Sequence, residues 1–390
     1  MNILQVIPCF TPPILFGGSQ RAVNNLSEGL TKRGHHVKIF TSNMANEAHS
    51  LCLPELENIS GFEIHHFRNL STALSRTTRL IVTPDIVGAL LQNLQEVDVV
   101  HLHELRNFPQ LATAYFSLIA AKPYVVQAHG TLPVSSHLRL KNLYDKTILR
   151  VLLEKADRVI AVSKSERNQY EAYGVSPRKI EIVPNAIDPD EFANLPPKGV
   201  FRSRYGISKS ECVILYLGRI ARDKGADVLV DAVSLMKRGH KNIRLVIVGP
   251  DDNHLKHVKE LIRIRHMEAR VVITGALYGT SRLAAYEDAD IYALPSLYET
   301  FPLTMLEAYM CSKAVVASNI GDMNERIKHG VTGFLFRPGD AEELAHYLSY
   351  LADNPLLADK MGIEGRKMVM DQYSMDRVID RIEEIYKEII

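Results

Sequence analysis

The chain has 390 residues, 46% hydrophobic and 23% charged, with a formal net charge of +1. That length provides for two or three domains, each with its own core, and the near-neutral balance excludes a global electrostatic pull toward nucleic acid. No apolar run approaches the roughly 20 residues a membrane span needs, and the opening MNILQVIPCF lacks a basic leader, so a cytoplasmic protein is expected. Cys9, Cys52, Cys212 and Cys311 are scattered without metal-type spacing and are expected as buried free thiols.

The first strand is expected at residues 2–7 (NILQVI), followed by a Pro-rich loop. Gly17-Gly18-Ser19 then opens an amphipathic helix, with Ala22, Val23, Leu26 and Leu30 at the helical period. Gly34 ends it and HHVKIF is the next strand. Adjacent glycines at a helix start let a ligand approach the backbone closely. A tight turn without ligand is the other reading, because the full dinucleotide fingerprint is missing. Further strands are expected at 62–67, 98–103, 124–128, 158–163 and 180–185, giving one parallel sheet with helices on both faces. His101 and His103 share a strand end, but no cluster of further ligands accompanies them, so no metal set is expected. His129, in QAHGT, lies just past a strand end, where open α/β sheets bind ligands.

In segment 137–156 a rotation of roughly 100° per residue puts Leu140, Tyr144, Ile148 and Val151 on one face, expected to pack on the domain. Arg139, Lys146 and Arg150 fall opposite, with Leu143 and Leu153 beside them. Cations interleaved with leucines suit a helix resting on anionic lipid; an ordinary surface helix, favoured by Glu154, is the alternative. Residues 184–206, rich in Pro and charge, read as an interdomain linker. The boundary is set at 188/189, with residues 375–390 returning to the first domain. The second half repeats the alternation, with strands at 212–218, 243–249, 270–275, 289–294, 314–318 and 333–336. Three helices close the chain, near 340–353, 356–371 and 375–390.

The chemistry concentrates in residues 289–318, a strand, loop, helix and strand. Pro302 suits the first helical turn, which puts Glu299 in the loop and Glu307 inside the helix. Free N–H groups around Leu303 and Thr304 then form an anion site at the positive end of the helix dipole. Two acids flanking an anion site suit a polyol attached to phosphate, since carboxylates accept paired hydroxyl hydrogen bonds. A loop acid beside an ordinary helix acid is the plainer reading. Arg219 and Lys224, in a Gly-bounded loop after the 212–218 strand, can neutralise a diphosphate without Mg²⁺; a solvated turn is their alternative.

Glu299 and Glu307, in YETFPLTMLEA, resemble the Glu-x7-Glu signature of retaining glycosyltransferases of family four, which have the GT-B fold. LGRIARDKG resembles that family's Gly-Arg-x4-Lys-Gly donor loop, and VGPDD, TGAL, ADIYALPS, GVTGFLFRPGDAEELA, FGGSQRAVNNLSEGLTKRGHHV, QAHGT, ADRVIAVSKSE and VPNAID follow in the family's order. The chain departs from the pattern at Pro302, Ser312-Lys313, GDMNE (321–325) and Ala186, which touch loop geometry and donor choice and leave the charged residues intact. The resemblance implies an α/β fold of two Rossmann-like domains facing each other across a cleft. It implies a UDP- or GDP-sugar donor, a glycan or lipid-linked acceptor, and no cofactor or metal. Arg219 and Lys224 would bind the diphosphate with the N–H groups of Leu303 and Thr304. Glu307 would bind the ribose, the loop with Ala276 and Leu277 the base, and Glu299 the transferred sugar. Gly17 and Gly18 would approach the phosphates or the acceptor, and His129 the sugar. A GT-B epimerase or phosphorylase, or a catalytically silent sugar-nucleotide-binding protein, are the alternatives.

Overall fold

Runs such as Leu245–Val248 and Ala314–Ala317 are apolar at every position, which a strand can satisfy only with both faces covered. The computed structural model, which describes residues 1–11, 17–46, 49–50, 53–132, 144–236 and 242–390, builds two such sheets. They belong to two compact units, one made of Met1–Ala186 with Met375–Ile390, the other of Ile187–Ser374.

In the first unit the strands are β1 (Asn2–Cys9), β2 (His36–Ser42), β3 (Met44–Asn46), β4 (His49–Ser50), β5 (Leu56–Ile59), β6 (Phe62–Phe67), β7 (Val99–His103), β8 (Tyr124–Gln127), β9 (Arg158–Ala161) and β10 (Ile180–Ile182). Eight of them form a sheet in the order β10-β9-β8-β7-β1-β2-β6-β5, parallel except for β5 against β6. Along β1, Leu4 and Val6 enter one core layer with Val100, Leu102 and Val126, while Ile3 and Ile7 enter the opposite layer with Val37, Ile39 and Val125. The helix Met375–Lys387 covers that second layer through Val378, Ile379, Ile382, Ile385 and Tyr386, spaced for one helical face. It lies so close to the helix Gly18–Lys32 that a Cβ on Gly29 would come within 2.7 Å of Ile379. Arg33 pairs with Asp380, and His35 Nε2 sits 3.1 Å from Glu383.

The second unit has β11 (Cys212–Leu217), β12 (Ile243–Val248), β13 (Val271–Gly275), β14 (Ile291–Leu294), β15 (Ala314–Ser318) and β16 (Gly333–Phe336). All are parallel, in the order β13-β12-β11-β14-β15-β16. The strand order reverses between β11 and β14, and the carboxyl ends at such a switch point form the ligand crevice of open α/β sheets. Both chemically rich loops leave from these two strands.

Three expectations change. The antiparallel β5 is absent from the sequence reading; it is joined to β6 by Ser60-Gly61, whose φ values of +52° and +85° make a hairpin turn. Residues 184–206 contain the division between the units, at 186/187, but beyond it they are not irregular. Asp288 accepts hydrogen bonds from the N–H groups of Gly199 (2.5 Å) and Arg202 (2.9 Å), and Phe192 and Phe201 are buried in the second unit.

The face assigned to 137–156 also changes in its described part, where Tyr144 packs on the core as expected but Ile148 and Val151 do not; Arg139, Leu140 and Leu143 lie outside the described residues. Leu149, Leu152 and Leu153 are buried, while Ile148 and Val151 are 39% and 52% exposed. The cause is a wide i→i+5 turn over Asp145–Leu149, which inserts a residue and rotates the helix Arg150–Lys155 that follows. Asp145 is drawn inward by Arg106, whose Nε and Nη2 lie 2.9 and 2.8 Å from its carboxylate, and by the Tyr173 hydroxyl at 2.9 Å. Cys9, Cys212 and Cys311 are buried, as expected, and Cys52 is outside the described residues. Among the described residues no helix is long and apolar enough to cross a membrane.

Candidate functional site

The loop after β11 is held on both sides by backbone. A Cβ on Gly249 would fall 1.7 Å from the Gly218 carbonyl oxygen, and Ile220 N–H donates to Pro250 at 2.8 Å. This brings Asp252 to Arg219, and the two form an ion pair. On the other side Gly225 (φ +66°) lies against the end of β14, where a Cβ would meet the Pro295 carbonyl oxygen at 2.1 Å. Leu297 N–H donates to Asp223 at 2.8 Å. These contacts place Lys224 Nζ 2.7 Å from Glu299 Oε1, which also accepts from Ser296 Oγ at 2.9 Å. Lys224 and Glu299, assigned separately to diphosphate and sugar, are therefore direct neighbours. Arg219 stays 43% exposed and presents its charge to solvent.

The helix Leu303–Met310 follows Glu299. Pro302 stands at its cap in extended backbone, one position before the first-turn place expected for it. It offers no side-chain acceptor, so the first-turn N–H groups of Leu303 and Thr304 keep their orientation toward the crevice end of the helix. Thr304 is fixed from below: its Oγ1 is 2.8 Å from the Tyr292 hydroxyl, and its carbonyl accepts from Tyr286 at 3.1 Å. Glu307 is 2% exposed, with Arg282 Nη1 2.5 Å away. Burial works against the Arg282 charge, but Glu307 and Glu191 outweigh it and raise its pKa. Ala276 and Leu277 are half-buried in the loop between β13 and the helix Gly279–Glu287. Sequence reasoning missed Asp252, Ser296 and Arg282. Asp252 sits in the quoted VGPDD motif; Arg282 carries no local signal.

In the first unit a Cβ on Gly17 or Gly18 would meet nothing within 4 Å, so packing does not demand glycine there and space is open above the backbone. His129 holds a left-handed backbone (φ +54°). Its Nε2 is 3.0 Å from His103 Nδ1, and His103 Nε2 is 3.0 Å from Gln5 Oε1. With Gln5 Oε1 as acceptor, His103 donates from Nε2 and accepts at Nδ1, so His129 donates from Nε2 and keeps a lone pair on Nδ1. His101, ring centroid 4.0 Å from that of His103, bonds Tyr386 through Nδ1 at 2.7 Å. Burial pushes His101 and His129 down to about 3, and burial followed by the neighbouring histidines pushes His103 well down. The array is neutral. Glu166 secures the loop, accepting from Gly130 N–H at 2.5 Å and Val162 N–H at 2.8 Å. Its burial raises its pKa to about 7 despite those bonds.

Two outcomes are expected. Unfolded histidines take up protons near pH 6.5 while these stay neutral, so stability is full above that pH and falls as pH drops toward about 3. Each contributes up to about 1.4 kcal/mol per pH unit. Urea denaturation between pH 7.5 and 5 should show a slope that His101→Gln reduces by about one proton; equal slopes in both proteins refute the assignment. Gly225→Ala forces a Cβ into Pro295 at positive φ and should cost the second unit at least about 1–2 kcal/mol. Unchanged denaturation would mean that the loop is free to move away.

Two family models match the chain: Glycosyltransferase Family 4 over residues 16–191 and Glycosyl transferases group 1 over residues 198–368. An uncharacterized glycosyltransferase of Methanocaldococcus jannaschii is 28% identical over 96% of this chain and 95% of its own length. Among solved structures, sucrose-phosphate synthase from Thermosynechococcus elongatus superposes with a TM-score of 0.81 at 22% identity, covering 99% of this chain and 98% of that one. Anabaena HepE in complex with UDP-glucose gives 0.78 at 20% identity, with complete coverage of both chains. The two models together span most of the sequence, and the chain belongs to the group 1 glycosyltransferases of GT-B fold.

Proposed function

We propose that this glycosyltransferase is a retaining, metal-independent enzyme that moves a sugar from a UDP- or GDP-sugar to a hydroxyl of a glycan or lipid-linked acceptor. The observation that carries this reading is the contact of Lys224 with Glu299 at the strand-order switch of the second sheet, with Arg219 in the same loop as Lys224 and a helix start without a side-chain cap following Glu299. Two fixed cations and the N–H groups of Leu303 and Thr304 suit a diphosphate. The bound UDP-glucose of Anabaena HepE supports a nucleotide-sugar donor.

In this reading Arg219 and Lys224 stabilise the charge that grows on the leaving diphosphate. Lys224 also orients Glu299, whose remaining acceptor capacity holds hydroxyls of the transferred sugar. Glu307, aimed by Arg282, takes the ribose, and the loop with Ala276 and Leu277 takes the base. Gly17 and Gly18 provide close approach for phosphate or acceptor. His129 acts as a neutral hydrogen-bonding group, with its Nδ1 lone pair available to a hydroxyl. The leaving diphosphate itself helps to deprotonate the incoming hydroxyl, so front-face displacement needs no protein nucleophile.

Lys224→Ala and Arg219→Ala should each lower kcat on the order of 10²-fold. Glu299→Gln should lose transfer while still binding the nucleoside diphosphate, and Glu307→Gln should weaken nucleotide binding itself. Donor turnover, assayed with and without excess chelator, and a thermal-shift panel of nucleotides separate these effects. Unchanged kcat in both cation variants removes the phosphate assignment. Binding without transfer or donor hydrolysis in the wild type would make the chain a silent sugar-nucleotide binder.

A membrane-facing acceptor is supported by the exposed face of the helix Arg150–Lys155 and the turn before it. Lys146, Arg150 and Lys155 there surround exposed Ile148 and Val151. Near anionic lipid each cation contributes about 1 kcal/mol. Wild type should sediment with anionic vesicles and not neutral ones, and Lys146/Arg150/Lys155→Ser should lose most of that binding. Equal, salt-insensitive partitioning of both proteins points to an acceptor in solution.

A further inference from the structure

The helices Ala226–Leu235 and Leu255–Ile264 start at the carboxyl edge of the second sheet, after β11 and β12. Their first turns bring together three side chains that the donor reading does not use. Asp227 Oδ2 lies 3.4 Å from His254 Nε2 and 3.9 Å from His257 Nε2. One ligand atom from each of the three residues can be chosen so that all lie within 4.8 Å of one another. The two imidazoles are 4.8 Å apart between centroids and tilted by 33°.

Hydrogen bonding does not account for this cluster. His254 Nε2 and Asp227 Oδ1 are both buried and lack a hydrogen-bond partner. Such groups in a well-packed protein call for a water or an ion. The backbone of His254 is fixed independently, because the Asp251 carboxylate accepts the N–H groups of His254 at 3.1 Å and Leu255 at 3.0 Å. His257 is 60% exposed and free to swing. Zinc bonds nitrogen and oxygen at about 2.0–2.2 Å, so ligand atoms at the corners of a tetrahedron stand about 3.4 Å apart. Asp227 and His254 already have that separation, and the exposed His257 closes the remainder by rotating its side chain.

We propose that Asp227, His254 and His257 form a binding site for a zinc-class divalent transition-metal cation. Two imidazoles and a carboxylate, with no thiolate, match the borderline ligands such ions take, and the solvent-exposed side leaves a fourth position for water. Asp227 follows Lys224 by three residues, and His254 follows Asp252, the partner of Arg219, by two. The ion is thus a staple between the loop after β11, which carries both candidate diphosphate cations, and the loop after β12, which carries Asp252. No ligand of the ion is among the groups assigned to the donor. Stripping the ion therefore lowers the stability of these loops without abolishing turnover, and failure of this proposal is distinguishable from failure of the donor reading. The sequence signal was the His-x-x-His spacing at 254 and 257 on a helix start, which lacked a third ligand until the fold supplied Asp227.

The test uses the full chain, stripped with chelator and titrated with zinc chloride by calorimetry, then with cobalt chloride by visible absorption. One equivalent should bind, raise the melting temperature, and give the intense cobalt band of four-coordinate geometry. His257→Ala and Asp227→Asn should each weaken zinc binding by more than about 10-fold, since even an outer-shell change costs 10–100-fold. Both variants should keep the far-UV spectrum, and His257→Ala should keep turnover. Zinc binding that is equally strong in wild type and in both variants, or the absence of a one-equivalent site, overturns the proposal.

Discussion

The contact between Gly225 and the Pro295 carbonyl is the constraint on which the second unit's chemistry depends. No side chain fits at that point, and the backbone is left-handed there. The loop after β11 is thereby pressed onto the end of β14, two strands adjacent in the sheet but more than seventy residues apart in the chain. The ammonium of Lys224 reaches Glu299 only because of that approach. Gly249 against Gly218 does the same one strand further out and delivers Asp252 to Arg219. Backbone-to-backbone contact at both flanks aims the charges more firmly than long side chains could by themselves, since each flexible stem has little freedom left to lose on binding.

The two units handle polar groups in opposite ways. Around the switch point of the second sheet, charges are paired: Lys224 with Glu299, Arg219 with Asp252, Arg282 with Glu307 and Glu191. At the corresponding edge of the first sheet, His103 and His129 sit in a neutral chain from Gln5, with His101 packed beside His103 and bonded to Tyr386. A neutral array fixes a tautomer without placing a charge under low dielectric, where a charge lacking a partner costs several kcal/mol. The ionic arrangement suits a site for a polyanion, and the neutral one suits hydroxyl groups.

Most of this framework was legible in the sequence wherever periodicity or glycine spacing carried it. FEIHHF, AVVAS and GFLF were placed to the residue, because alternating or continuous apolar stretches mark which faces of a strand are covered. Glu299, Lys224 and Arg219 were legible because their loops leave strand ends. Three features were not. The wide turn at Asp145–Leu149 depends on Arg106, some forty residues earlier, and no local window contains that pair. The segment 184–206 looked like a linker because its polar residues outnumber the buried Ile187, Phe192 and Phe201. Arg282 under Glu307 is a contact between two helices, and nothing local to residue 282 marks it as the partner of Glu307.

The helix Met375–Lys387 has a consequence for how the polypeptide is made. It supplies six core side chains to the first unit, yet the ribosome reaches it only after the whole of Ile187–Ser374. At about 5–20 residues per second that interval is roughly 10–40 s, long compared with the collapse of a domain. During it, the layer around Ile3 and Val23 has an open side, and the Tyr386 hydroxyl has not reached His101. The second unit contains all of its own strands and can fold first, although its synthesis starts later. Maturation of the earlier-made half thus waits on the later-made one. A chain that stops short of residue 375 is left with an uncovered apolar layer that quality control can recognise.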